Sequence, residues 1–102
     1  MELSVSSATE AGKGQVVVKG EVDVSNAESV RVPIQRLIDD ASVSEVEVDL
    51  TDVPYIDSTG IGVLVGASHR AADAGKGFKA TGVQPNVERI FGMLGVEGII
   101  GA

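Results

Sequence analysis

The sequence spells a small α/β domain: a mixed, mostly parallel sheet of about five strands with helices packed on it. Three observations carry that reading. Strand-like and helix-like hydrophobic periods alternate along the chain, in the order β-β-α-β-α-β-α-β. Glycines and prolines fall between those segments. Hydrophobic residues make up 43% of the chain and aromatics only 3%, so a core must be built from Val, Ile, Leu and Ala. Strand–helix–strand alternation implies crossover connections, hence parallel pairing, with an N-terminal strand or hairpin at one edge.

Residues 2–8 alternate weakly and suit an edge strand. Ala11-Gly12-Lys13-Gly14 reads as a turn. Gln15 to Gly20 contains the β-branched run Val16-Val17-Val18 and reads as a strand. Ser25 or Asn26 can cap a helix reaching about Asp40, with Val30, Ile34, Leu37 and Ile38 on one face. Pro33 disrupts a helix interior, so that helix either starts later than Asn26 or is irregular near Pro33. Val46, Val48 and Leu50 alternate with Glu45, Glu47 and Asp49, a strand with one buried face. Ile61, Leu64, Val65, Ser68, Ala71 and Ala72 recur at helical spacing, giving a helix over about 58–74 with Ile61, Leu64, Val65, Ser68 and Ala72 inward. Ala74-Gly75 closes it with a glycine C-cap. Phe78 to Val83 form the next strand. Pro85 opens a third helix to about Leu94, with Val87, Ile90, Phe91 and Leu94 inward. Glu97 to Ile100 are expected to add a last short strand.

The 102 residues suffice for one compact domain, taken as 1–102, without repeats or linkers. With no cysteine there are no disulfides or thiolate sites, which suits a reducing cytoplasm. The N-terminus lacks a basic segment followed by an apolar run, so no signal peptide is expected. No apolar run approaches membrane-spanning length, so membrane insertion is not expected. The net charge of −7 opposes nucleic-acid binding, which needs a basic surface, and favours a basic protein partner. The charge is also explained by solubility alone.

The candidate site is Asp57-Ser58-Thr59-Gly60, between the acidic strand and the helix after it. Ser58 falls near the first turn of that helix, where backbone N–H groups lack partners and the dipole is positive. A hydroxyl there faces solvent and the field tolerates a phosphate, which makes Ser58 a candidate switch. Ser58, Gly62, Gly66 and His69 line one side of the helix. Glycine costs roughly 1 kcal/mol in a helix interior, so Gly62 and Gly66 call for a reason. A partner surface docking there, with Val63, is one. Room for a neighbouring loop of the same chain is another, and the residues alone leave both open. Ser58 also suits plain helix capping, and Asp23 an ordinary turn.

Other patterns fall short of a site. Gly60, Gly62 and Gly66 give G-x-G-x-x-x-G, one residue too long for a dinucleotide fingerprint. Ser58 lacks the flanking glycines of a nucleophile elbow, and His69 is the one histidine. Asp39-Asp40 and the Glu45, Glu47, Asp49 row read as solvated surfaces, not metal ligands. No catalytic residue, metal or cofactor is therefore expected.

Four segments taken together resemble the STAS-domain family: Gly20-Glu21-Val22-Asp23, the strand leading to Tyr55-Ile56, Asp57-Ser58-Thr59-Gly60-Ile61-Gly62, and Pro85-Asn86-Val87 through Phe91-Gly92-Met93-Leu94-Gly95. Within that family they are most similar to the stand-alone bacterial anti-sigma factor antagonists. The resemblance runs from about Leu3 to Ile100. It implies a non-enzymatic module whose unmodified form binds an anti-sigma factor, itself a serine kinase with a Bergerat-type ATP site, and so releases the sigma factor. Phosphorylation of the serine that maps to Ser58 ends binding, and a serine phosphatase resets it. Asp23 lies in the loop that touches the kinase, Asp57 and Thr59 flank the modified position, and Gly60, Gly62, Val63 and Gly66 extend the docking face. Members usually carry a further C-terminal helix that this sequence lacks. The apolar patch thus left uncovered favours weak self-association. A cytoplasmic STAS subunit of an ABC-type lipid transporter is the alternative, and a Ser58-dependent enzyme of small nucleotide or acyl substrates is a third reading that lacks a base.

Overall fold

The computed structural model describes residues 3–101. Among them, β1 (Ser4–Glu10), β2 (Lys13–Lys19), α1 (Ala27–Asp39), β3 (Glu45–Asp52), α2 (Ser58–Asp73), β4 (Gly77–Thr81) and α3 (Pro85–Met93) follow in order, closed by a 3-10 turn over Glu97–Ile99. The sheet order is β1-β2-β3-β4. β1 pairs antiparallel with β2, and the other pairs are parallel. Between β1 and β2, Ala11 and Gly12 both take positive φ, 51° and 83°. That is the tight hairpin turn whose twist matches the strands it joins.

Side chains that pair across neighbouring strands share a face. One face collects Val16 and Val18, Val46, Val48 and Leu50, and Ala80, all buried. Onto it the helices deliver Val30, Ile34, Leu37 and Ile38 from α1, Ile61, Leu64, Ala67 and Ala71 from α2, and Val87 and Phe91 from α3, in one continuous cluster. The other face is polar. There Lys13 Nζ lies 2.6 Å from Glu47. Lys79 Nζ stands between Glu45 at 3.6 Å and Glu47 at 3.8 Å. The hydrogen bond from Lys13 holds the Glu47 carboxyl below the ordinary glutamate range.

Several expectations change. The fifth strand over 97–100 does not form. Gly95, Gly98 and Gly101 interrupt that stretch, which coils into the 3-10 turn and pairs with the sheet through an isolated Ile100–Ala80 bridge. α1 starts at Ala27 and runs through Pro33 rather than starting later. Asn26 precedes that helix but does not cap it with its side chain. On α2, Ala72 is exposed and Ala67 buried, because the inward line runs 61, 64, 67, 71. Leu94, expected inward, is 48% exposed just past the end of α3. The expected glycine closure of α2 is present: Gly75 N–H donates to Ala72 O at 3.0 Å and Lys76 N–H to Ala71 O at 2.8 Å. α3 ends the same way at Gly95. Residue 2, the first of the expected edge strand, lies outside the described residues.

Candidate functional site

The site forms where the chain leaves the carboxyl ends of β2 and β3. A register shift near the end of β2 pairs Lys19 with Asp52, and Gly20 N–H donates to Asp52 O at 3.0 Å. Beyond this the two segments stay side by side. Val22 N–H donates to Tyr55 O at 3.0 Å and Asp57 N–H to Val22 O at 3.1 Å. The Val22 and Ile56 side chains are buried beneath. Asp23 and Ser58, far apart in sequence, are thereby carried on adjoining loops.

Gly60 explains the close fit. A Cβ on Gly60 would stand 2.6 Å from Ile56 Cγ1 and 2.8 Å from Val22 Cγ1, so the first turn of α2 rests directly on those side chains. Gly60 is buried and its contacts are internal. Asp57 is the N-cap, with Oδ1 accepting from Gly60 N–H at 2.9 Å. Its Oδ2 accepts from Val24 N–H at 3.2 Å, across to the other loop. Ser58 is the first residue of the helix, and both it and Thr59 are exposed.

The Asp23 loop is held from within. Asp23 accepts from the Ser25 hydroxyl and from Ser25 N–H, and the hydroxyl bond is the larger cause of a carboxyl held below the ordinary aspartate range. Asn26 Oδ1 accepts from Asp23 N–H at 2.9 Å, and its amide donates to Glu21 O at 2.9 Å. This is why Asn26 is not a helix cap: its side chain fastens the loop, and Asp23 O receives Ala27 N–H instead. At the start of α3, the N-cap residue Gln84 donates to Thr51 O and Asn86 to Pro54 O, tying the helix to the segment that leads to Ser58.

Two residues of the rim are not among the site candidates that the sequence offers. Val24 is 75% exposed and Tyr55 43% exposed, beside the acidic residues Asp23 and Asp57. An apolar residue amid turn formers, as in Asp23-Val24-Ser25, was the available signal. Along α2, Gly62 is exposed and a Cβ there would meet nothing within 4 Å. At Gly66 the nearest group is the guanidinium of Arg70, at 3.2 Å, which donates to Gln35 of α1. Among the described residues no loop occupies the space at Gly62, so the loop-clearance explanation fails there. Val63 is half-buried between them. His69 lies roughly 16 Å along the helix axis from Ser58, too far to act as its base.

The site is thus an exposed hydroxyl at a capped helix start, edged by apolar and acidic side chains. This surface sits on a sheet with helices packed on one face, an architecture of the STAS type, and sequence comparison agrees. The model of the family described as "Mlab, STAS domain" matches residues 5–101, and the chain belongs to the STAS-domain family. It is 30% identical over 100 residues to the anti-sigma-B factor antagonist of Bacillus subtilis strain 168, covering 98% of this chain and 90% of that protein. Among solved structures, an anti-sigma factor antagonist from Mycobacterium paratuberculosis superposes with a TM-score of 0.85 at 20% identity, over 97% of this chain and 83% of that one. The unphosphorylated form of the anti-sigma factor antagonist SpoIIAA gives a TM-score of 0.81 at 17% identity, over 98% and 86%. These structural likenesses establish the fold.

Proposed function

We propose that this chain is an anti-sigma factor antagonist that acts by reversible docking and is switched at Ser58. The observation that carries the reading is the exposed Ser58 hydroxyl at the first position of α2, beside the loop holding Asp23 and Val24. The names of the similar proteins supply the partner class.

In this reading the unmodified chain binds an anti-sigma factor that is also a serine kinase with a Bergerat-type ATP site, and the sigma factor is released. Val24, Tyr55 and the stripe of Gly62, Val63 and Gly66 supply the close contact, while Asp23 and Thr59 lie at its edge. The kinase then transfers a phosphoryl group. The Ser58 oxygen bonds to the γ-phosphorus of ATP, the bond to the β,γ-bridging oxygen breaks, ADP leaves and the hydroxyl proton is lost. The phosphate adds roughly −1.5 to −2 charge to a rim that already holds Asp23 and Asp57. Repulsion and desolvation then end the contact without refolding. A serine phosphatase restores Ser58 by hydrolysis, with inorganic phosphate as the second product. The domain itself is a cytoplasmic binding module with no turnover of its own. Weak self-association through the exposed Met93 and Leu94 belongs to the same reading and is read by sedimentation against concentration.

The deciding experiment is a pull-down from native lysate with wild-type and Ser58→Glu chains, the bound proteins being identified by mass spectrometry. Capture of a small ATP-binding kinase by the wild type alone is the expected result. Capture of an ABC ATPase, insensitive to the substitution, would overturn it in favour of a transporter subunit.

A further inference from the structure

We propose that Asp57 is a positioning residue whose carboxylate latches the exposed Val24 to the start of α2, and that a phosphate on Ser58 opens this latch. The proposal rests on the reading of Ser58 as the modified serine and names the internal event that follows modification.

The geometry sets two donors on one carboxylate. Gly60 N–H takes Oδ1 at 2.9 Å and Val24 N–H takes Oδ2 at 3.2 Å. The first bond belongs to the helix start. The second joins residues 33 apart in sequence. Within the Asp23 loop, Asn26 fastens Glu21 and Asp23, and Asp23 fastens Ser25. Val24 N–H is left to Asp57. The base of the loop is held separately by the backbone bridge between Val22 and Ile56. One side chain thus fixes the most exposed apolar member of the docking rim, and that side chain is the immediate neighbour of Ser58.

A phosphate on Ser58 disturbs this arrangement in two ways. Its oxygens compete with the Asp57 carboxylate for the N–H groups of the first helical turn. Its charge repels the adjacent carboxylate at short range. The longer bond, to Val24, gives way first, since the Gly60 bond is also favoured by the helix dipole. Modification then acts twice: it adds charge to the rim and releases Val24 from its fixed place. The change stays local because the Val22–Ile56 bridge does not depend on Asp57's side chain.

The test uses three full-length chains: wild type, Asp57→Asn, and a chain with phosphoserine installed at position 58 during translation. Asparagine caps a helix about as well as aspartate but has a single acceptor oxygen, so Gly60 keeps its partner and Val24 loses it. Amide hydrogen exchange by NMR is the readout. The expected result is Val24 exchange about tenfold faster in both altered chains, as fits loss of one hydrogen bond to a charged group. Val22 and position-57 amide exchange should stay at wild-type values, which a general loosening would not allow. Unchanged Val24 exchange in either altered chain would overturn the proposal. Because the phosphate is installed directly, this result stands whatever kinase the cell uses. A failed pull-down would remove the functional reading and leave the latch measurement intact.

Discussion

Gly60 and Gly62 are two residues apart and do opposite things. Gly60 is glycine because its own chain leaves no room: any side chain would collide with Ile56 and Val22. Gly60→Ala should therefore destabilise the fold by about 1–3 kcal/mol, the usual range for overpacking, read as a shift in denaturant midpoint. Gly62 has open space around it, so its own chain gives it no reason to be glycine. Gly62→Ala should stabilise the domain by about 1 kcal/mol through helix propensity alone. Gly62→Leu should fold as well as wild type and abolish capture of the anti-sigma factor; full-strength binding by that variant would refute docking on this stripe. The sequence marked both as glycines in a helix, but only the packing separates an internal constraint from an external one. Ser58 was legible because position in a helix start follows from local pattern. Val24 was not, because exposure of a single valine depends on a loop held by Asn26 and Asp57 from different parts of the chain.

Elements follow their local signals where those signals are strong. The alternation over 45–50 gave β3, and the glycines at 75 and 95 closed α2 and α3 with the hydrogen bonds expected of them. The failures lie where a local preference is overridden. Asn26 is a good capping residue, yet its side chain is used inside the loop. Pro33 is a helix breaker, yet α1 continues through it because Val30, Ile34, Leu37 and Ile38 are all buried on the sheet. Pro33 leaves the Ser29 carbonyl without its N–H partner, so Pro33→Ala should raise stability by about 1–3 kcal/mol in a thermal melt. The hairpin between β1 and β2 is also improvable. Ala11 sits at φ 51°, which a Cβ disfavours by about 1 kcal/mol. Ala11→Asn creates the Asn-Gly pair preferred for this turn and should recover much of that, raising the melting temperature without altering partner capture.

At the scale of the molecule, the helices and the apolar cluster lie on one side of the sheet, and the charged network of Lys13, Glu47 and Lys79 lies on the other. Hydrophobic alternation made this division legible in β3, where Val46, Val48 and Leu50 alternate with Glu45, Glu47 and Asp49. The pairing of particular charges was not legible, since it depends on strand register. Glu47 titrates below the ordinary glutamate value of 4.5, chiefly through its hydrogen bond from Lys13. A depressed folded value means that the stabilisation is complete above the unfolded value and is lost as pH falls through the folded one. Glu47→Gln should therefore flatten the loss of stability as pH falls below the ordinary glutamate range, followed by circular dichroism. The net charge of −7 should make association with a basic partner slower at higher ionic strength, which stopped-flow rates would show.

The loop of Asp23 and Val24 is joined to the rest of the sheet largely through main-chain atoms: Gly20 to Asp52, and Val22 to Tyr55 and Asp57. Main-chain bonds are indifferent to the side chains that accompany them. Glu21 and Val24 can therefore be replaced during divergence after gene duplication while the frame beneath them is kept. A cell holding several duplicated domains of this kind can run them side by side, each answering its own partner, because the residues that distinguish partners are not the residues that hold the fold. Insulation between parallel signalling circuits is thus available at the cost of a few surface substitutions.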